Sequence, residues 1–544
     1  MTMNFYNFII FFLIFIISLL SSLKYTKFFN FIVTVFILIL IPFYKIIDDQ
    51  HVVISIYNLK LINDINLDTK LIGFVFIFVT YIANLYGISQ NKKMEVIIGS
   101  SYCLASLIAL FAGDFISLFV GLEFMMLTAT MLIFIGNNKK SIRDALRYFL
   151  IHFTSSSLML IGISYIISKT GSTEIVLLTK LIEHIDKGFL FYILILISCL
   201  INIACVPFSG WMINCYPKSS STGFIYLITF TTKVSIVILI KLFSGFEGLK
   251  FCGIIMMLYG GLYACIEENL RKILCYLTLS QLGFMLIFMG DKTVSWVYSY
   301  IPIHILYTTL FAIILAILQD VANIENSSQI KNIKNFAVKT SLLIGILTII
   351  NFPFTTSFLH KLLLHNITSH DLIYYLMLLT NSMIFLAMPF REYFITKETL
   401  DLELNGSMKQ SLFIITFSLI IGNILAIKNL FSEPHFSVTN HIITESAIKQ
   451  FAIVTIGIIL SFIVKISRKS TIFINFDLFQ LIGNSFNHIC VKTKQNNDDI
   501  QEETGTIYKR MLESILDQIY KLHNQPNAIF IVFSLLIILI LMSC

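Results

Sequence analysis

Long apolar runs recur along the whole chain, and they constrain the fold more than any other feature. Each run is close to the ~20 residues that an α-helix needs to cross the hydrocarbon core of a bilayer. Hydrophobic residues make up 57% of the 544 residues and charged residues only 13%. Uninterrupted runs favour helices over the short alternating strands of a membrane β-barrel. The sequence therefore predicts an all-α, polytopic, integral membrane protein.

The apolar runs also give a helix count and an orientation. We expect about 14–16 transmembrane helices from their number and length. Lysine and arginine cluster in every second connection, as at Lys92 and Arg271, and the positive-inside rule places those connections in the cytoplasm. The predicted spans cover residues 5–23, 28–47, 70–89, 95–112, 113–136, 144–168, 190–212, 222–244, 251–266, 273–289, 295–318, 341–365, 371–390, 410–428, 447–465 and 527–543.

Two of the predicted spans contain a break. Pro207 lies near the end of the seventh span, and the segment "NFPFTTSF" (residues 351–358) interrupts the twelfth. A break inside the bilayer frees backbone groups that must be buried in protein or face water, as at the ion sites of transporters. A tolerated proline kink is the alternative at either site. The breaks occupy equivalent places in consecutive five-helix blocks, which indicates an internal repeat.

Ionisable residues stand inside four of the apolar runs, at Glu123, Lys233, His304 and Lys361. A charged group at the centre of a membrane helix costs about 2.5–3.5 kcal/mol to insert, so it rarely lacks a partner or a function. Lys233 lies too deep to reach the interface easily, whereas Lys361 could snorkel from the end of its span. A lone buried histidine is more often a packing residue than a proton carrier. Together the four residues predict a chain of titratable sites that moves protons or cations.

The sequence offers no ligand set for a metal or a cofactor. Its nine cysteines are scattered without C-x-x-C spacing, so neither a disulfide framework nor an iron–sulfur site is indicated. No glycine-rich nucleotide loop follows a strand, and no hydrolase arrangement is visible. We therefore expect an ion translocator without a cofactor, with protons, monovalent cations and lipid as its ligands and no nucleic acid.

Two polar segments flank the predicted helical part. After the second span, "DDQHVVISIYNLKLINDINLDTK" is too charged to cross the membrane and alternates in part, which favours a small external hairpin. The chain turns polar again between residues 466 and 526, with an apolar stripe from Ile507 to Leu522. That stripe predicts an amphipathic helix on the membrane or on a partner subunit, or one packed against its own spans.

Several motifs occur in a fixed order. They are "GDFISLFVGLEFMMLTATMLIF", "DALRYFLIHFTSSSLMLIGISYI", "VPFSGWMINCYP", "TTKVSIVILIK", "EENLRKILCYLTLSQLGFMLI", "HILYTTLF" and "FPFTTSFLHK". Over residues 65–395 they resemble the antiporter-like family that Mrp-type cation/proton antiporters share with the large membrane subunits of respiratory complex I. The resemblance implies two inverted five-helix repeats, with the interrupted seventh and twelfth helices at their centres.

The same resemblance implies a hydrated axis of buried charges. Glu123 is then the modulator on the side where protons enter, Lys233 and His304 are relay sites, and Lys361 is the lysine on the side where protons leave. This sequence departs from the family pattern at two lysines, which are replaced by Asn202 and Thr308. The first of these lysines is the usual charge partner of the glutamate, so replacing Asn202 by lysine is expected to raise activity.

The implied function is proton translocation in a subunit of a multisubunit cation/proton antiporter, in an energy-coupling membrane. "YPKSSS" and "INFDLFQLIGNSF" resemble segments of the D-type component of Mrp antiporters. The alternatives are a proton-pumping subunit of NADH:quinone oxidoreductase, which would make the chain part of a translocase enzyme, and a degenerate paralogue that serves as a scaffold. The predicted units are residues 1–94 (N-terminal helices and hairpin), 95–250 and 251–395 (the repeats), 396–465 (C-terminal helices), 466–526 (polar segment) and 527–544 (final helix).

Overall fold

The computed structural model describes most of the central part of the chain. The described residues are 51–56, 59–64, 66–136, 139–179, 189–290, 294–353, 355–358, 371–387, 393, 398–432, 448–449, 451–452 and 455. The predicted spans 5–23, 28–47 and 527–543, the amphipathic segment 466–526 and Lys361 lie outside these residues.

The described part is built almost entirely of α-helices, as the apolar runs predict. Nine of its helices, counting the pair Ser221–Thr229 and Thr231–Phe243 as one, are long and apolar enough to cross a membrane. The protein is therefore a multi-pass integral membrane protein. The helices are α1 (Leu67–Ser89), α2 (Lys93–Leu110), α3 (Phe115–Phe134), α4 (Lys139–Thr170), α5 (Phe189–Asn202), α6 (Gly210–Cys215), α7 (Ser221–Thr229), α8 (Thr231–Phe243), α9 (Gly248–Ile266), α10 (Leu270–Gly290), α11 (Val294–Ala322), α12 (Phe336–Ile349), α13 (Asp371–Ala387) and α14 (Gly406–Ser432).

The predicted hairpin is present before the first of these helices. Strands β1 (His51–Ile56) and β2 (Leu59–Asn63) pair antiparallel. Asp114 fixes this hairpin to the start of α3, because its carboxylate accepts from the amide of Ile62 and from that of Ser117, each at 2.7 Å. The same side chain thus caps a helix and anchors a strand. A second, parallel pair joins β3 (Asn332–Ile333) to β4 (Thr399–Leu400).

Small residues allow two long helices to pack closely. A Cβ atom added to Gly260 on α9 would lie 2.6 Å from the backbone of Tyr276 and Ser280 on α10. A Cβ atom added to Gly283 on α10 would lie 2.6 Å from the backbone oxygen of Gly253 on α9. Close backbone approach through glycine is a common way to pack helices in a bilayer, where the hydrophobic effect does not drive helix association.

The first predicted break lies between α5 and α6. The α5 helix ends at Asn202, and Ala204 then adopts a left-handed conformation with φ of +62°. The amide of Ala204 donates to the carbonyl of Ile201 at 3.0 Å, and the amide of Cys205 donates to that of Leu200 at 2.8 Å. This pair of bonds is a Schellman motif, which satisfies carbonyls at a helix end.

The second predicted break repeats this backbone arrangement. After α12, Asn351 is left-handed with φ of +56°. Its amide donates to the carbonyl of Thr348 at 3.3 Å, and the amide of Phe352 donates to that of Leu347 at 3.0 Å. Helical structure resumes at residues 356–358. Both helices therefore end in the same way shortly before a proline.

A further break was not expected from the sequence. The predicted span 222–244 is divided at Phe230 into α7 and α8. No proline or glycine marks the position. Thr231 begins α8, and its hydroxyl takes part in a buried side-chain cluster rather than facing lipid.

Candidate functional site

Lys233 lies at the break between α7 and α8. Its side chain is fully buried, with a relative exposure of 0%. The ammonium donates to the carbonyl of Ile228 at 2.6 Å, in the last turn of α7. A cation at this position is stabilised by the partial negative charge of a helix C-terminus. The break thus supplies the backbone acceptor that a buried lysine needs.

Glu123 is half-buried on α3, and its carboxyl group lies near Ser156 on α4. The ion pairs among the described residues include Lys92–Glu95, Lys241–Asp64, Lys272–Glu267 and Lys331–Glu398. Glu123 and Lys233 do not form an ion pair with each other.

Asn202, which replaces a lysine of the family pattern, contacts a histidine that the sequence analysis did not select. The Nδ1 atom of His152 on α4 lies 3.0 Å from Oδ1 of Asn202. Ser155 adds a hydrogen bond to the same oxygen at 3.2 Å and another to the Ser198 carbonyl at 3.0 Å. His152 is almost completely buried, and its Nε2 atom has no hydrogen-bond partner among the described residues.

Aromatic rings hold His152 in place. Its ring lies 4.2 Å from that of Tyr148 and 4.6 Å from that of Trp211, measured between centroids. The Trp211 indole donates to the carbonyl of Ile201 at 2.8 Å, which fixes α6 to the end of α5. The spacing of Tyr148, His152 and Ser156 by four residues on α4 is the sequence signal that could have revealed this buried polar face.

A cluster of buried hydroxyl groups lies at the break between α7 and α8. The Tyr216 hydroxyl donates to Thr231 at 3.2 Å, and Tyr102 is hydrogen-bonded to the same threonine. The Tyr148 hydroxyl lies beside Thr231 as well. Because Thr231 begins α8, these tyrosines contact the helix break at the turn that carries Lys233.

His304 lies in the middle of α11 and is fully buried. Its ring packs 5.1 Å from that of Tyr307 and 6.2 Å from that of Tyr300. The two tyrosine hydroxyls are 3.2 Å apart, and Tyr300 donates to Oε1 of Gln281 on α10 at 2.8 Å. Thr308, at the second missing lysine, donates to the His304 carbonyl at 2.7 Å, so its hydroxyl serves the backbone of its own helix.

A polar pocket of about 330 Å³ adjoins the start of α7. Its lining includes Lys92 and Arg271, residues of the connections that the charge pattern assigns to the cytoplasm. Arg271 donates to the carbonyl of Ser219 at 2.8 Å, and the Asp320 carboxylate accepts from Ser221 at 2.8 Å. The pocket therefore places a guanidinium and a carboxylate beside the segment that follows Tyr216.

No group of three histidine, cysteine or acidic side chains lies close enough to hold a metal ion within the described ranges. The chemistry that the residues above can perform is proton transfer. They provide a carboxylate, an amine, two imidazoles and a set of hydroxyl groups in the protein interior. Such groups can bind and release protons in a low-dielectric environment.

Comparison with known proteins tests the predicted family. The sequence profile of the family described as "NADH:quinone oxidoreductase/Mrp antiporter, TM" matches residues 112–386, more than half of the chain. NADH-quinone oxidoreductase subunit N 1 of Thermodesulfovibrio yellowstonii is 27% identical over 50% of this chain and 61% of its own length. NADH-ubiquinone oxidoreductase chain 2 of Dictyostelium discoideum is 25% identical over 51% of this chain and 62% of its own. The chain thus spans about three fifths of these curated relatives.

A solved structure shares the fold over a longer stretch. A chain of the Mrp complex from Dietzia sp. DQ12-45-1b superposes with a TM-score of 0.68 at 13% identity, covering 86% of this chain and all of its own length. The interrupted helices lie inside the segment that the family profile matches. The chain belongs to the NADH:quinone oxidoreductase/Mrp antiporter membrane family.

Proposed function

We propose that this chain is a proton-translocating subunit of a multisubunit membrane complex. One observation carries the proposal: Lys233 is completely buried at a helix break, with a backbone carbonyl as its acceptor and no carboxylate in ion-pairing distance among the described residues. A structural lysine is normally paired, because burying an uncompensated ammonium is costly. A lysine that exchanges protons instead needs an environment in which the amine can also form.

In this proposal the four predicted residues form one path. Glu123 receives protons, Lys233 and His304 pass them on, and Lys361 releases them. The pocket beside Arg271 supports a water-filled approach from the cytoplasmic side, since Pro217 lines it and the preceding residue, Tyr216, donates to Thr231. The side chain of Thr229 on α7 lies 3.4 Å from that of Thr309 on α11, which joins the halves that carry Lys233 and His304.

We also propose that residues 95–250 and 251–395 are two related five-helix units. The matched Schellman ends at Ala204 and Asn351 support this division. Equivalent breaks in paired units are how many transporters place ion sites near the membrane midplane.

The complex that contains this subunit is a cation/proton antiporter or an NADH:quinone oxidoreductase. The structure of an Mrp complex supports the first through its fold. The names of the curated relatives, which are oxidoreductase membrane subunits from bacteria and Dictyostelium, support the second. Both assignments make the chain a proton-conducting component with partner subunits.

The test is proton flux in inverted vesicles that carry the whole complex. Glu123→Gln and Lys233→Ala are expected to lower the flux by about 100-fold, the scale of losing a proton-transfer group. Glu174→Gln and Lys169→Ala are matched controls at exposed positions and should leave it unchanged. Flux that requires Na⁺ or K⁺ assigns the antiporter, and flux that requires NADH and quinone assigns the oxidoreductase. Unchanged flux in both variants of an assembled complex would instead assign a scaffold.

A further inference from the structure

The short helix α7 connects the polar pocket to Lys233. Ser220 and Ser221, at the start of α7, line the pocket. The last turn of α7 provides the Ile228 carbonyl, which accepts from Lys233 at 2.6 Å. All nine residues of α7 are buried. The break at Phe230 separates α7 from α8, so the position of this carbonyl depends on how α7 itself is held.

A carboxyl group on α2 contacts the residue that caps α7. The Ser220 hydroxyl donates to Oε2 of Glu95 at 2.7 Å, and its oxygen accepts from the amide of Gly223 at 2.9 Å. A hydroxyl group has one hydrogen, so its donation to Glu95 leaves the lone pairs for the helix amide. Glu95 is only 2% exposed, and its other oxygen lies 3.7 Å from the ammonium of Lys92. The sequence analysis did not select this buried carboxyl group.

A second carboxyl group, on α11, contacts the next residue of α7. The Ser221 hydroxyl donates to Oδ2 of Asp320 at 2.8 Å, and the Tyr86 hydroxyl on α1 donates to the same oxygen at 2.8 Å. Acidic groups are favoured at the start of a helix, where the backbone amides leave a partial positive charge. Hydrogen bonds to carboxyl groups therefore fix the start of α7 to α2 and to α11.

The end of α7 also contacts α11. The hydroxyl groups of Thr229 on α7 and Thr309 on α11 lie 3.4 Å apart. The start of α7 is bonded to Asp320, which lies further along α11. The two helices are thus antiparallel and joined at both ends of α7. A shift at the start of α7 would displace the whole short helix, including the carbonyl that accepts from Lys233.

We propose that Glu95 and Asp320 are positioning residues for Lys233. This inference rests on the proposed function. The two carboxyl groups hold the first turn of α7, and α7 in turn holds the Ile228 carbonyl against the Lys233 ammonium. The role requires acceptor oxygens at the two sites and no transfer of a proton by either group.

The test combines proton flux per assembled complex with hydrogen exchange of residues 221–233. The double alanine variant, Glu95→Ala with Asp320→Ala, removes both acceptors, so exchange should rise about tenfold and flux should fall about tenfold. The double amide variant, Glu95→Gln with Asp320→Asn, keeps an acceptor oxygen at each site and should match wild type in both measurements. Glu325→Ala is the control, because that carboxyl group lines the same pocket and accepts from Gln319 rather than from α7.

A smaller change removes one contact from the side of α7. Ser221→Ala deletes a single oxygen atom and leaves the Asp320 carboxyl group in place. It should raise exchange and lower flux about threefold, because one hydrogen bond at the start of α7 is lost. This variant keeps the inference testable in a complex that does not assemble with the double alanine variant.

The outcomes distinguish this inference from the proposed function. Wild-type flux in the double alanine variant or in Ser221→Ala, together with loss in Lys233→Ala, overturns only the positioning role. Loss of flux in the double amide variant also overturns it, because the carboxyl groups would then act through their protons or charges. Loss of flux without faster exchange overturns it as well. Wild-type flux in Lys233→Ala overturns the proposed function itself.

Discussion

The two helix breaks use the same backbone geometry but differ in the side chains that surround it. Both end in a Schellman motif with a left-handed residue that is not glycine, at Ala204 and at Asn351. At the first break, an imidazole contacts the helix end through Asn202. At the second, the side-chain amide of Asn351 donates to the side-chain oxygen of Asn381 at 2.6 Å. The helix end at the first break thus contacts an imidazole, which can take up a proton. The helix end at the second break contacts a side-chain amide, which cannot.

The contrast distinguishes the role of the backbone break from the role of the side chains that contact it. The backbone break provides free polar groups and room near the membrane centre, and it does so at both sites. Proton chemistry depends on which side chain contacts the break. Within the described ranges, we therefore expect substitutions around the first break to affect proton flux and those around the second to affect stability.

Among the changes that test this contrast between the breaks, Tyr148→Phe should have the largest effect. This change removes the hydroxyl beside Thr231 but keeps the ring that packs on His152. Proton flux should fall at least about tenfold, with little loss of thermal stability. Tyr192→Phe is a matched control on α5, because its buried hydroxyl has no hydrogen-bond partner among the described residues. Equal flux in Tyr148→Phe and Tyr192→Phe would contradict the expectation that side chains around the first break affect proton flux.

Asn381→Ala should give the opposite pattern. The substitution leaves the side-chain amide of Asn351 without its acceptor in a buried site, which costs about 1–3 kcal/mol of stability. The melting temperature of the detergent-solubilised complex should fall, while flux per folded complex stays within about twofold of wild type. Ser382→Ala on the same helix is the control, since that hydroxyl bonds only within its own helix. A tenfold loss of flux in Asn381→Ala would show that the second break also conducts protons.

The smallest effect compares the two left-handed residues directly. Ala204→Gly relieves the strain of a Cβ atom at φ of +62° and should stabilise the protein by about 0.5–1 kcal/mol after the entropy of glycine is counted. Asn351→Gly should destabilise it, because asparagine tolerates this conformation and the bond to Asn381 is lost. Thermal unfolding measures both variants. A shift of the same sign in both would mean that backbone strain outweighs the side-chain contacts.

Most of the helical architecture could be predicted from the sequence. The predicted spans 95–112, 251–266 and 273–289 correspond closely to α2, α9 and α10, because apolar length alone determines such helices. Both proline breaks were predicted, since proline removes a backbone donor. The break at Phe230 was not. At this break Lys233 donates to the Ile228 carbonyl and Thr231 accepts from Tyr216, and neither residue disrupts a helix by itself.

The candidate site could be predicted only in part. Glu123, Lys233 and His304 stand out because each is an ionisable residue in an apolar run. The structure buries Lys233 and His304 completely and Glu123 in part. His152 does not stand out, because "HFTSSS" forms a polar patch on a partly exposed helix. Its importance comes from Asn202, 50 positions further along the chain. Periodicity within one helix carries no information about such a contact.

The bond from Lys233 to the Ile228 carbonyl joins a charge to a helix break. The ammonium holds the last turn of α7 against the first turn of α8, and a neutral amine would hold it less strongly. Any force that changes the angle at Phe230 must then change the proton affinity of the lysine, and proton binding must change the angle by the same free energy, because such linkage is reciprocal. The geometry of the break and the charge on Lys233 are in this sense two sides of one equilibrium.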